Sequence, residues 1–504
     1  MFAGDLSMDD VRARAREALD ALRGAPGLVY ADVRFVEEER ELLRVRGRSG
    51  KRAARGSPTP SVENLGRDRS RGFGVRVFAD GGWGFACTPD PRPAALRRAA
   101  ERALEVARAS ARASARKLRF VEGEAHVGTY RTPMERDPLE VPLDEKVADL
   151  AAATEALGPD EPSVRVAEAK GHFARKRQLL VSTEGTDVEQ CFAYTGAGLQ
   201  CVAVGDDGEA QRRSYPTSVD GDLGQGGYER VGRMRLVEEA PRVREEAVAL
   251  LTAPPCPQGR RDIVLASDQL ALQIHESCGH PVELDRVLGT EISLAGGSFL
   301  QPDALGRLRY GAPGVNLVAD ATCEGGCGTF GYDDEGTPAK RVDLVRDGIF
   351  CGYLSSRDTA AELGVEPSGA MRANGWDRIP LIRMVNINLE PGQGSLDDLL
   401  GDTDGGLLLE TNKSWSIDDL RLHFQFACEV AWEVRGGRKA TMYRNPVYSG
   451  TTPKFWNACD AITGPEEWRL WGLGSCGKGE PIQLMRVGHG CSPARFRDVE
   501  VGHG

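Results

Sequence analysis

Val164-Arg-Val-Ala-Glu-Ala169, Gln178-Leu-Leu-Val-Ser182, Val188-Glu-Gln-Cys-Phe-Ala-Tyr194 and Gly198-Leu-Gln-Cys-Val-Ala-Val204 follow one another in the middle of the chain, separated by Gly, Thr and Asp turn formers. Alternation of this kind places successive side chains on opposite faces, as in antiparallel strands with one face buried. The four segments therefore read as an antiparallel meander. Working outward, a short helix is expected over about 143–157 and another over about 226–251. The second ends at Thr252-Ala-Pro-Pro-Cys-Pro257, which reads as a linker.

Towards the amino terminus, Leu6, Ser7, Asp10 and Val11 supply the staple and cap of a first helix. Val11, Ala15, Ala18, Leu19 and Leu22 form its apolar stripe, and Gly24 and Pro26 end it. Residues 47–72, rich in Arg, Gly, Ser and Pro, read as a mobile basic loop. Gly74-Val-Arg-Val-Phe-Ala79, the turn Asp80-Gly-Gly82 and Trp83-Gly-Phe-Ala86 make a hairpin, followed by an Ala/Arg helix from about Ala94 to Lys117. Beyond 258 the chain is Gly-rich with short apolar segments, so that part is expected to be mostly β. The sum is an α+β chain with an amino-terminal helix–hairpin region (1–120), a central antiparallel strand-rich region (121–257) and a larger β-rich carboxy-terminal domain (258–504) carrying a metal site.

Length and composition suit this picture. The 504 residues are enough for two to four domains at roughly 100–200 residues each. With 64 basic and 75 acidic residues the net charge is −11, and 40 % of residues are hydrophobic, an ordinary globular balance. No apolar run approaches the length needed to cross a bilayer and no secretory signal is visible, so a cytoplasmic protein without membrane contact is expected. The twelve cysteines are scattered, and read as reduced thiols packed as small core residues.

Chemistry concentrates in Asp262-Ile-Val-Leu-Ala266 and Ser267-Asp-Gln-Leu-Ala-Leu-Gln-Ile-His-Glu-Ser-Cys-Gly-His280. A buried-type strand runs into a Ser267 N-cap, and Leu270, Leu272 and Ile274 bury the helix that follows. His275, Glu276 and His280 sit on its last turns. Two imidazoles and an adjacent carboxylate are what a hydrolytic metal site requires. The spacing resists it, however. At 3.6 residues per turn, five residues leave the two histidines about 140° apart. A one-residue π-bulge would bring them together, and Gly279 is placed to allow such a deformation or an early helix end. A third ligand is open among Cys278, His423, His489, Cys476 and many acids. Cys476 lies in the Gly-rich run Trp471-Gly-Leu-Gly-Ser-Cys-Gly-Lys-Gly-Glu480.

His-Glu-Ser-Cys-Gly-His280 followed by Pro281-Val-Glu-Leu-Asp285 resembles the HExxxH element of the TldD/PmbA metallopeptidases, specifically the active TldD-like type. Gly72-Phe-Gly-Val-Arg-Val77 with Trp83-Gly-Phe-Ala86 resembles the family's amino-terminal hairpin, and Ser182-Thr-Glu-Gly185 its central strand end. Tyr332-Asp-Asp-Glu-Gly336, Asp347-Gly-Ile-Phe-Cys-Gly-Tyr-Leu354, Asn386-Ile-Asn-Leu-Glu-Pro-Gly392 and Ser475-Cys-Gly-Lys-Gly479 resemble its carboxy-terminal markers. The resemblance implies one zinc ion per chain held by His275, His280 and Cys476, with Glu276 as the catalytic base for a zinc-activated water. It further implies a peptidase acting on unfolded or flexible peptides. It also implies a homodimer, or a heterodimer with a related PmbA/TldE-like chain lacking the motif.

Three segments depart from the family pattern, the first being the 47–72 loop, which is longer and more basic than the family's. Cys323-Glu-Gly-Gly-Cys327 reads as two free thiols in a Gly turn or a second metal site. The Val-Gly-His-Gly copies at 487–490 and 501–504 read as a flexible end, with metal binding as the alternative. The family has also carried the label of DNA gyrase modulator. Arg44, Arg46, Arg48, Lys51, Arg52, Arg55, Arg67, Arg69 and Arg71, with the arginines of the Ala-rich helix, would be the nucleic-acid footprint. Overall acidity speaks against that alternative. The intact Glu276 speaks against a second one, a non-catalytic partner subunit.

Overall fold

A computed structural model describes residues 6–47, 60–218 and 221–504. The chain is mixed α+β, with strands dominating the carboxy-terminal part. Helix α1 (Met8–Asp20) is capped by Ser7, whose side chain accepts the Asp10 N–H as expected. Strands β1 (Leu28–Gly47), β2 (Ser61–Ala79) and β3 (Gly82–Thr88) follow, then α2 (Pro93–Ala113), β4 (Val127–Arg131) and α3 (Leu143–Ala156). Strands β5 (Val164–Ser182), β6 (Asp187–Val204), β7 (Ala210–Tyr215) and β8 (Asp222–Gln225) precede helices α4 (Glu229–Arg233) and α5 (Leu236–Ala249). The strands form one sheet ordered β3-β2-β1-β5-β6-β4, with β7 and β8 also on β6.

Three expectations are corrected here. The four central segments are two long strands, β5 and β6, paired almost end to end around a turn at Thr183–Thr186. The charged residues 170–177, which look like an interruption, stay extended because they have partners across the strands: Arg175 reaches Glu39 at 3.1 Å and Asp137 at 2.8 Å. Residues 61–72 are strand, not loop. Their arginines face a run of acids on β1, with Arg67 at 2.5 Å from Glu41 and Arg69 at 2.7 Å from Glu37. Arg46 likewise pairs with Glu63 and Glu168, each at 2.7 Å. Much of the supposed cationic footprint is thus an interstrand charge ladder. Arg48, Lys51, Arg52 and Arg55 lie outside the described residues. The single helix expected over 226–251 is also divided, into α4 and α5.

One face of this sheet is covered twice. Near one end, α1 and α2 pack Val11, Leu19 and Leu96 on Val33, Phe35 and Val75. Near the other, α3 and α5 pack Leu150 and Val243 on Leu43, Val45 and Leu199. Each such fully buried aliphatic side chain contributes about 1.5–3 kcal/mol.

The carboxy-terminal part is built around strand β9 (Gly259–Leu265) and helix α6 (Ser267–Ile274). Next come β10 (Leu317–Asp320), β11 (Arg341–Arg346), β12 (Ile349–Phe350), β13 (Met371–Arg372), β14 (Leu381–Ile382) and β15 (Ile387–Leu389). They are followed by β16 (Leu407–Ile417), β17 (His423–Arg435), β18 (Arg438–Arg444), β19 (Pro446–Thr451) and β20 (Cys459–Ile462), and last by β21 (Arg469–Lys478), β22 (Gln483–Cys491) and β23 (Ala494–His503). β9 sits inside a seven-stranded sheet, parallel to β16 and antiparallel to β23. β10, β11, β12 and β15 form a second sheet, and β21 and β22 a ribbon. The Val-Gly-His-Gly copies are therefore not a flexible end: residues 487–490 lie in β22 and 501–503 in β23.

The two halves are clamped by buried ion pairs. Arg76 on β2 donates to Asp32 at 2.7 Å and to Glu335 at 3.0 Å, and Arg34 reaches Asp334 at 3.2 Å. The segment Tyr332-Asp-Asp-Glu-Gly336 thus docks the carboxy-terminal part against the amino-terminal sheet. Ala174, Phe192 and Tyr194 of β5 and β6 complete the carboxy-terminal hydrophobic core.

Candidate metal centre

α6 leaves the sheet at the end of β9 and is buried on nearly all sides. Ala266, not Ser267, occupies the cap; Ser267 is the first helical residue, and the Asp268 carboxylate accepts a hydrogen bond from Thr411 at 2.7 Å. Burial pushes the Asp268 carboxyl up to about 6. The helix then widens into a π turn over His275–Gly279, closed by the His280 N–H donating to the His275 carbonyl at 3.2 Å. One extra residue per turn brings positions 275 and 280 onto one side, as a regular helix could not. Their ring centroids lie 4.8 Å apart, nearly perpendicular. Gly279 is required by contact: a Cβ there would stand 2.1 Å from the Met384 Sδ.

Cys476 arrives from β21. The β21–β22 register slips between Leu473 and Cys476, a bulge that Gly474 accommodates and that re-aims the thiol. Its Sγ lies 3.7 Å from His280 Nε2. One ligand atom from each of His275, His280 and Cys476 falls within 4.8 Å of the others, and all three residues are buried. Among the described residues this is the only such group of three His, Cys, Asp or Glu side chains.

The other ring nitrogens are committed elsewhere. His489 on β22 places Nδ1 3.3 Å from the Ile387 carbonyl, so that nitrogen carries the proton, and its Nε2 accepts from His275 Nδ1 at 2.8 Å. His280 Nδ1 donates to Glu283 at 3.0 Å, and Glu283 is held by Arg286 at 2.7 Å and Lys478 at 3.3 Å. Both imidazoles are thereby left with Nε2 lone pairs. Burial drives His275 down to about 4 and lowers His280 as well. Burial pushes the Cys476 thiol up, but His280 and Arg383 outweigh it and leave the thiol below its ordinary value. Once His280 is neutral its help to the thiolate is gone, and a bound divalent cation would take its place. Two neutral imidazoles and a thiolate are the donor states a borderline-soft ion needs. The donor set fits such an ion.

Glu276 is the next residue round the turn. Its Oε2 accepts from Arg421 Nη1 at 2.6 Å and its Oε1 from Trp415 Nε1 at 2.8 Å. Arg421 is 4 % exposed and adopts φ 63°, a left-handed conformation that L residues avoid. Its second nitrogen donates to the Ala295 carbonyl at 3.1 Å. Leu223, Leu272, Trp415, Trp471, Leu473 and His489 line an apolar cleft alongside.

The remaining sequence candidates fall away from the cluster. His423 is exposed at the start of β17, and Cys278 points into the core against Tyr310. Cys327 is a buried free thiol whose Sγ contacts the Leu223 carbonyl at 3.4 Å, and Cys323 is also free. His489 was open as a ligand, but it stands behind His275. Arg421, Trp415 and Glu283 carry no sequence signal of their own beyond Glu283's place just after the motif.

Comparison with known proteins identifies the family of the chain. The PmbA/TldA metallopeptidase models match the chain over residues 61–107 (domain 1), 136–252 (central domain) and 258–503 (C-terminal domain). The chain belongs to this family, also called TldD/PmbA. A metalloprotease from Methanothermobacter thermautotrophicus is 30 % identical over 444 residues, 88 % of this chain and 91 % of that one. A zinc metalloprotease TldD homolog from Saccharolobus solfataricus is 23 % identical over 448 residues, 86 % of this chain and 90 % of that one. A crystal structure from Thermotoga maritima, described as a modulator of a DNA gyrase, shares the fold at a TM-score of 0.72 and 17 % identity, covering 98 % of this chain and all of that one.

Proposed function

We propose that the chain is a zinc-dependent peptidase that hydrolyses peptide bonds in unfolded or flexible peptides. The observation that carries this reading is the convergence of His275, His280 and Cys476, with both imidazole Nδ1 atoms already occupied. Zinc accepts a His/His/Cys set and, in catalytic sites, keeps a fourth position open. The zinc name of the Saccharolobus relative supports the choice of metal. A zinc ion held there would supply Lewis acidity toward the attacking water and the scissile carbonyl.

The chain's own residues supply the rest. Glu276 takes the water's proton and delivers it to the leaving amine. Arg421 and Trp415 fix its two oxygens so that the carboxylate keeps one orientation. The apolar cleft takes substrate side chains and excludes bulk water. The family reading extends to assembly as a dimer, with a second copy or with a related chain lacking the motif. Light scattering on the purified chain, alone and with such a partner, decides between them.

The test is metal analysis beside digestion of casein and flexible peptides. Wild type is expected to hold one zinc ion per chain and to cleave, while Glu276→Ala keeps the metal and loses cleavage. Full activity in Glu276→Ala overturns the role given to that carboxylate. The alternative as a nucleic-acid-associated protein finds no support in the paired Arg67 and Arg69. The other alternative, a non-catalytic partner, predicts a zinc-bound chain without cleavage in any assembly.

A further inference from the structure

A cavity opens where β1, β5 and β6 face β13 and β22. The hydrolytic machinery uses none of its charged groups. Its carboxylates are all engaged. Glu38 accepts from Arg40 at 2.6 Å and Arg486 at 2.7 Å. Asp334 accepts from Arg34, from Gln178 and from the Ala373 N–H, and Asp333 from the N–H groups of Glu335, Thr337 and Met371.

Two of its cations lack a matching anion. Lys176 makes no hydrogen bond or ion pair among the described residues; its Nζ stands 5.7 Å from the Phe192 ring centroid. Burial pushes its ammonium down to about 8 against the pull of Asp334 and Glu38. Arg372, 9 % exposed, donates among the described residues only to the carbonyls of Met384 at 2.7 Å and Cys327 at 3.3 Å. Lys176 is half-buried, whereas burying a cation such as Arg372 without an anionic partner is costly, and an arriving anion recovers that cost. The Tyr194 hydroxyl, also on the wall, has no hydrogen-bond partner among the described residues and is free to donate.

The cavity adjoins the metal cluster. Met485 on its wall is the cross-strand partner of Cys476, and Gly474 lines both this cavity and the apolar cleft beside His489. At about 3.3 Å per residue, an extended peptide reaches from one to the other within a few residues. We propose that this cavity binds a carboxylate of the substrate through Lys176, Arg372 and Tyr194, so that the enzyme selects peptides bearing an acidic group a few residues from the scissile bond. The inference rests on the peptidase reading above. Its carboxylate has two sources, an Asp or Glu side chain or a free C-terminus.

The test measures binding apart from cleavage. Fluorescein-labelled flexible peptides carrying Glu or Gln at successive positions, each with a free or amidated C-terminus, are titrated by anisotropy into zinc-loaded Glu276→Gln protein. The same peptides are offered to the wild type for cleavage. Peptides with the carboxylate are expected to bind at least tenfold more tightly than their amide counterparts. That ratio is expected to fall to about one in Glu276→Gln/Lys176→Gln and to persist with Lys176→Arg. Arg372→Gln is a second variant that reads the same ratio if the first does not fold. Dependence on Glu against Gln assigns the side chain, and dependence on amidation assigns the terminus. Equal binding of all peptides, or a preference that survives Lys176→Gln, overturns the subsite. Preferential binding without cleavage by wild type in any assembly, alone or with a related chain, leaves the subsite standing and removes the hydrolytic reading.

Discussion

His275 Nδ1 and His489 Nε2 lie 2.8 Å apart with their rings at 86°. His489 is itself fixed by the Ile387 carbonyl on β15, so a backbone oxygen sets the tautomer of the first imidazole through the second. Partners of this kind orient metal-ligating histidines and raise their basicity. His489→Ala is expected to weaken metal affinity by about 10–100-fold while leaving the fold intact. Competition with a chelating dye measures it. Unchanged affinity would show that His275 needs no such support.

Glu276 poses a different question, because its two oxygens are already bound to Arg421 and Trp415. Glu276→Gln is expected to retain the metal and lose about 10²–10⁴-fold in kcat. Arg421→Lys cannot reproduce the planar guanidinium that reaches both Glu276 and the Ala295 carbonyl. It is expected to lower kcat with metal content unchanged, as read by metal analysis and initial rates on one peptide. Loss of metal in either variant would reassign these residues to holding the turn rather than to proton transfer.

How much of this was legible in the sequence follows from the range of the interactions. The Ser7 cap, the Asp80-Gly-Gly82 hairpin and the strained reading of the His275–His280 spacing all depend on neighbours within a few residues, and composition exposes them. The π turn could be inferred because two histidines and a glycine made sense together only with one extra residue in the turn. Local reading failed where partners come from far away. Residues 61–72 look like a loop because their arginines are strand-compatible only opposite Glu37, Glu39 and Glu41. His489 looked like part of a flexible tail because nothing near it in sequence reveals that β22 passes behind α6. Arg421 could not be found at all, since its meaning lies in a carboxylate 145 positions away.

Stability should depend on acidity through Glu38. Burial alone would raise its carboxyl, but Arg486 and Arg40 outweigh burial and hold it at about 2, below the usual value of 4.5. A folded-state value lowered in this way gives stability that is present above the unfolded value and lost as pH falls from about 4.5 toward 2. The contribution is about 3 kcal/mol by proton linkage. Glu38→Gln is expected to lower the thermal midpoint at pH 7, and its difference from wild type should shrink across that acid window. A constant difference down to pH 2.5 would place the stabilisation elsewhere.

Gly279 ties the site's geometry to the core. It is the last residue of the π turn, and the space its missing Cβ leaves is filled by Met384, whose Sδ, Cε and Cγ would lie 2.1, 3.1 and 3.2 Å from an added methyl. Met384 is fully buried, and its carbonyl receives Arg372, so the side chain can move only by disturbing its neighbours. Overpacking of this kind costs about 1–3 kcal/mol. Gly279→Ala is therefore expected to lower the thermal midpoint and weaken metal binding together, since relief by straightening the turn would swing His280 away from His275. Gly279→Ala/Met384→Ala removes the collision while keeping the added methyl, and should recover metal affinity relative to the single variant. Chelator competition and thermal unfolding on the same four proteins, wild type and Met384→Ala included, separate the two effects. If the double variant binds metal no better than Gly279→Ala, the glycine is needed for its backbone freedom in the turn and not for the room it gives Met384.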